Sequence, residues 1–204
     1  MVSPQNERGD KRSRLVAAAS SVFAEMGYAS TRVADIAERA EVGKGTVYEY
    51  FASKEELLFA VFESINQDVA ARLDSALNEG GSSWDQLERL LEIGAAVAVE
   101  QHDLQPVVLD FWAASRGRDF EQKYRDQVVA SYTFYRTVVA NFLSEGQNSG
   151  EFRSDVDIDG IATVLVAAID GLGIQFYFDP SMDLDRVTKA LGELLHDALR
   201  KEPE

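Results

Sequence analysis

The 204-residue chain has no cysteine, two histidines and four prolines. Disulfides and thiolate metal sites are therefore excluded. With His102 and His196 as its only imidazoles, a zinc ion would need mostly carboxylate ligands, so neither a structural metal nor a cofactor is expected. No strand-length segment alternates apolar and polar residues beside hairpin turn chemistry, which argues against a sheet. The first ten residues hold no apolar run of the kind a secretory signal needs. Together with the lack of cysteine this points to a cytoplasmic location. The longest apolar stretch, residues 161–178, is broken by Asp170 and two glycines, and a charge in mid-span is costly in lipid. It reads as a buried helix, with no membrane partner.

Basic residues are scarce, 20 against 35 acidic ones, for a net charge of -15. That balance at first disfavours a polyanionic partner, because lysines and arginines supply non-specific DNA affinity by displacing counterions. The distribution of charge along the chain points the other way. Residues 1–56 carry eight basic and nine acidic side chains, so the acid surplus belongs to the rest of the chain. A near-neutral head can dock on phosphates through cations gathered on one face, while an acidic body is repelled and helps to orient it.

What the chain has is helical periodicity. Leu15, Ala18, Val22, Phe23 and Met26 form one face of a helix from about residue 10 to Gly27. Thr31 suits the N-cap of a second, striped by Val33, Ile36, Ala37 and Ala40, and Gly43 opens a third in which Val47 and Phe51 point inward. Ser53 with Glu56 starts a long fourth helix ending near Gly80, and Ser83 with Gln86 opens a fifth. Pro106 fits the first turn of a short sixth, and a seventh spans about 120–144 until Gly146 to Gly150 break it. The eighth, near 156–178, is apolar nearly all round and needs partners on two sides. The ninth, near 184–200, covers one, and the other calls for a second subunit. The expectation is an all-α chain of about nine helices: a three-helix head over residues 1–52 and a helical effector-binding and dimerisation domain over 53–204.

The second and third helices read as a helix-turn-helix, whose second helix enters the major groove with its N-terminal residues nearest the bases. Lys44, Gly45, Thr46 and Tyr48 occupy that end. Glycine at 45 lets backbone approach the bases, Thr46 offers a hydroxyl and a methyl, Tyr48 can donate to phosphate, and Lys54 is placed to grip the DNA backbone. The plainer alternative is a helical hairpin with core aromatics and solvated lysines. An enzyme is the other rival class, yet the chain has no zinc-binding helix motif, GxGxxG or phosphate loop, and none is expected.

Residues 11–59 resemble the N-terminal domain of the TetR family of bacterial transcriptional regulators. The likeness is carried by Asp35-Ile36-Ala37, Val42, Lys44-Gly45-Thr46-Val47-Tyr48, Tyr50-Phe51 and Ser53-Lys54-Glu55-Glu56-Leu57-Leu58. It implies a homodimer on double-stranded operator DNA, joined through the two C-terminal helices, that represses until a small hydrophobic or aromatic effector releases it. A constitutive DNA binder or helical interaction protein without effector is the alternative. Matching DNA contacts are Thr31, Arg32, Lys44, Gly45, Thr46, Tyr48, Tyr50 and Lys54. The chain departs from the family pattern at Glu41, where glycine is usual in the turn, at Gly43, where serine is common, and at Ala34, where arginine is frequent and Arg32 can take over.

Candidate effector residues are Phe111, Trp112, Tyr124, Tyr132, Tyr135, Phe176 and Tyr177, with Glu100 and Asp110, and also His102 and Arg116, as polar groups. Such aromatic stripes also build ordinary cores. Buried tyrosines want hydrogen-bond partners, so several together suit a site mixing apolar surface with a few polar groups. Aromatics beside carboxylates fit a hydrophobic cation. The aromatics alone fit an apolar acid or acyl group equally well.

Overall fold

The computed structural model describes residues 4–114 and 122–201, and among them every regular element is helical. The helices are α1 (Pro4–Met26), α2 (Val33–Arg39), α3 (Lys44–Tyr50), α4 (Lys54–Asn78), α5 (Ser83–Glu100), α6 (Gln105–Ala114), α7 (Gln122–Ser149), α8 (Ile158–Phe178) and α9 (Leu184–Leu199), with a 3₁₀ turn at His102–Leu104 before α6. They gather into two compact units, one within Met1–Gln67 and Asp103–Arg125, the other within Asp68–His102 and Asp126–Glu204.

The first unit closes around Leu15, Phe23, Ile36, Val47, Phe51, Leu57, Leu58 and Phe111, all fully or almost fully buried. Phe111 of α6 stacks on Phe62 of α4 with ring centres 4.1 Å apart, and Tyr124 stacks on Phe59 at 4.6 Å. The second unit closes around Leu87, Leu90, Phe142, Leu143, Phe152, Ala162, Leu165 and Leu199, with α5 packed on α8 and α9.

Four helix boundaries differ from the sequence reading, the first being the start of α1, at Pro4 instead of about residue 10. Helix α2 is capped by Arg32, whose N–H donates to the Asp35 carboxylate at 2.8 Å, and not by Thr31. Helix α5 opens one residue early: Ser82 Oγ accepts from the Asp85 N–H at 3.1 Å, and Asp85 accepts from the Ser82 N–H at 2.9 Å. Ser83 is buried instead, its N–H donating to Glu151. Helix α7 runs through Gly146 and ends only at Gly150, where φ is +82°. Asp157 caps α8 by accepting from the Gly160 N–H, and Asp183 caps α9 by accepting from the Arg186 N–H.

Helix α8 is long and apolar enough by length and composition to cross a membrane, yet Ala162 and Leu165 lie in the core and Asp170 interrupts it. Its other face is open in the single chain. Val164 is 66% exposed and Phe178 72%, and Leu194 of α9 is 68% exposed. A shallow apolar groove of about 420 Å³ runs between α8 and α9 beside Ile161, Val164, Leu191 and Leu195.

Candidate DNA interface and effector residues

The inward positions of α3 hold the recognition helix in place. Val47 and Phe51 are completely buried, which turns Lys44, Gly45, Tyr48 and Glu49 to solvent and leaves Thr46 and Tyr50 half-exposed. Gly43 caps the helix with ordinary extended dihedrals, so glycine is not required there for its conformation. A methyl built on Gly45 would meet no protein atom within 4 Å, so the fold leaves that surface clear. Tyr48 is 48% exposed, with the Lys44 ammonium 5.9 Å from its ring centre. The turn before α3 passes through Glu41 at φ +56°, the left-handed region that a side chain disfavours.

Arginines of α1 border this surface in a way the motif alone did not suggest. Arg8 lies over the Tyr50 ring at 5.7 Å and Arg12 over Phe51 at 5.2 Å, while Arg14 points toward the Ala40 carbonyl. The clustering of cations at residues 8–14 was the available signal. Arg32 is bound in a two-pronged pair to Asp35, at 2.8 and 3.2 Å, with most of its side chain in solvent; the guanidinium holds the Asp35 carboxyl below the usual carboxylate range. Arg39 clasps Glu25 in the same way, tying α2 to α1.

Two of the expected DNA contacts are turned inward. Thr31 is only 1% exposed, and its hydroxyl donates to the Gly27 carbonyl at 2.8 Å. Lys54 donates to the carbonyls of Tyr28 and Thr31, at 2.8 and 2.9 Å, instead of standing free at the mouth of α4.

The expected effector residues are divided between the two units. In the first unit Phe111 and Tyr124 are core, Trp112 is half-buried, and Asp110 accepts the Tyr28 N–H at 2.7 Å, so its carboxylate serves the chain fold. In the second unit Glu100 pairs on the surface with Arg72. Phe176 and Tyr177 flank His102, with ring centres 5.8 and 5.5 Å from the imidazole. Arg116 lies outside the described residues.

Tyr132 and Tyr135 of α7 share a partner absent from the expected set, Asp170 of α8. Burial pushes the Asp170 carboxyl above its ordinary range, against the opposing pull of a hydrogen bond from Tyr132. Burial likewise raises both phenols, that of Tyr135 to about 12, with the Asp170 charge adding to it. The signal is an acid inside an otherwise apolar helix. In sequence it argues against a membrane span; in the fold it is also a polar anchor.

A buried helical support that exposes the second helix of a helix-turn-helix, in an all-helical chain, is the build of a DNA-binding regulator. A model of the bacterial regulatory proteins of the tetR family matches residues 15–61, and one for the C-terminal part of BetI-type transcriptional repressors matches residues 85–200. The chain belongs to the tetR family, as a ligand-responsive DNA-binding repressor. It is 24% identical over 190 residues to the fatty acid metabolism regulator protein of Bacillus subtilis (strain 168), covering 93% of this chain and 95% of that one. A transcriptional regulator from Saccharomonospora viridis, solved in complex with choline, superposes with a TM-score of 0.81 at 27% identity over 95% of this chain and all of that one. The regulator FadR from Bacillus subtilis in complex with stearoyl-CoA gives 0.73 at 26% identity, covering 89% and 96%.

Proposed function

We propose that the chain works in the cytoplasm as a homodimer joined through α8 and α9, placing two copies of α3 in successive major grooves of an operator, about 34 Å apart. The observation that supports the dimer is the open apolar face carrying Val164, Phe178 and Leu194. In each copy Lys44, Gly45, Thr46 and Tyr48 face the bases and nearby phosphates, with Arg32, Tyr50 and the arginines at the start of α1 on the flanking backbone. Residues 53–204 supply effector binding and dimerisation.

The effector is an organic cation. Asp170 supports this reading: a buried carboxyl held protonation-prone by desolvation, with Tyr132 and Tyr135 beside it, gains most from a partner that brings positive charge and apolar surface together. The choline-bound relative fits that chemistry. A long acyl thioester such as the stearoyl-CoA bound by FadR brings no positive charge to that carboxyl.

Selection of bound sequences from random duplexes tests the DNA reading, with a palindromic consensus of two half-sites as the expected outcome. Repeating the binding assay with choline and with stearoyl-CoA tests the effector. Release by choline alone supports a cation, whereas release by stearoyl-CoA alone refutes it.

A further inference from the structure

Tyr28, in the loop between α1 and α2, is gripped from three helices. Its N–H donates to Asp110 Oδ2 of α6 at 2.7 Å. Its carbonyl accepts from Nζ of Lys54, the first residue of α4, at 2.8 Å, and the same ammonium stands 4.3 Å from the centre of its ring. The Glu55 carboxylate acts on its hydroxyl, each shifting the other's titration, and its ring leans on Phe23 of α1 at 5.6 Å. Lys54 extends the grip by taking the Thr31 carbonyl at 2.9 Å, one residue before the Arg32 that caps α2.

We infer that Asp110 and Lys54 are positioning residues which, through the backbone of Tyr28 and Thr31, set the helix-turn-helix for operator binding. The inference rests on the DNA-binding function stated above. The bonds from Asp110 and Lys54 end on main-chain atoms, so they fix the path of the chain into α2 and not merely a side-chain rotamer. Lys54 has three N–H donors, and two are committed to carbonyls while an aromatic face lies beside the charge. An ammonium held in this way is a clasp within the first unit. Asp110 brings α6 to the same point, so the position of α6 is registered at the entrance to α2.

The test uses the full-length protein and the operator obtained by selection, with affinity measured by fluorescence anisotropy over a salt series. Lys54→Met and Asp110→Ala should each weaken binding at least tenfold at every salt concentration, on lines parallel to wild type, because neither removes a phosphate contact. Asp110→Asn keeps an oxygen that can accept the Tyr28 N–H and should stay within threefold of wild type. Amide exchange at residues 28–32 should accelerate in Asp110→Ala. A salt slope flattened by about one in Lys54→Met would make Lys54 a phosphate contact and overturn the inference. Unchanged affinity in Lys54→Met would overturn it as well, even if Asp110→Ala fails to fold. Wild type that binds no duplex takes the DNA-binding reading down too, whereas wild type that binds beside indifferent variants removes only the joint.

Discussion

The ring of Phe152 lies directly over the bare Cα of Gly146, so close that a methyl built on that glycine would overlap ring carbons Cδ2 and Cε2 and stand 2.9 Å from Cγ. The Phe152 N–H also donates to the Gly146 carbonyl at 2.9 Å, which folds the chain after α7 back onto the helix. Phe152 is fully buried between Trp84 and Phe142 and cannot retreat. Gly146→Ala should therefore destabilise the fold by about 2 kcal/mol, as overpacking does, even though alanine is the better helix former. Urea unfolding checks this. The midpoint should fall with the slope unchanged, and an unchanged or higher midpoint would remove the packing argument.

Gly45 presents the opposite case. No protein atom lies near its missing side chain, so Gly45→Ala should keep or raise stability, by up to ~1 kcal/mol from helix propensity alone. If α3 lies against base edges as proposed, the added methyl separates the surfaces and operator affinity should fall at least tenfold. A variant that is more stable and binds as well as wild type would show that DNA does not approach this point.

Glu41 is strained by its left-handed turn at φ +56°. Glu41→Gly should relieve up to ~1 kcal/mol of that strain, partly offset by the greater freedom of glycine in the unfolded chain. Thermal unfolding should move upward by a few degrees or less, and a clear fall would mean that the side chain contributes something the turn geometry does not reveal.

These sites also mark what the sequence could and could not say. The head was legible because its message is local: Val47 and Phe51 four apart decide which way α3 faces, while the resemblance to the TetR family, with glycine usual in the turn, marks Glu41 as the residue at positive φ. Gly146 misled because a helix-breaking residue in one dimension is a packing device in three, and the residue that demands it lies six positions further on. The effector residues were the least legible. Aromatic periodicity looks the same whether a ring ends in the core, as Phe111 does, or beside a buried acid, as Tyr132 does. Lys54 and Asp110 carried the charges expected of ligand contacts, and only the fold shows those charges turned onto backbone carbonyls and an amide.

Leu194 bears on subunit association. Its side chain is 68% exposed in the single chain, so Leu194→Asp costs the isolated fold little, but it places a charge in the proposed interface. Sedimentation should shift from dimer to monomer. Operator affinity should drop by a factor of roughly 100 or more, since two heads no longer bind as one ligand. A variant that remains dimeric would place the interface elsewhere.

Asp170 offers a pH-dependent test. Its carboxyl sits above the ordinary range because burial penalises the charge, so the folded state binds this proton more tightly than the unfolded chain does. The stability it contributes is complete below the ordinary carboxylate range and is lost as pH rises through the raised value, leaving wild type penalised at neutrality. Asp170→Asn carries no charge and can still pair with the Tyr132 hydroxyl, so it should melt higher than wild type at pH 7, with the gap closing on acidification. The same variant should bind choline at least tenfold more weakly, because the amide cannot balance an ammonium. Stability raised and choline binding lost together would assign Asp170 as the cation's partner. Raised stability with unchanged choline affinity would leave it a desolvated acid with no part in recognition.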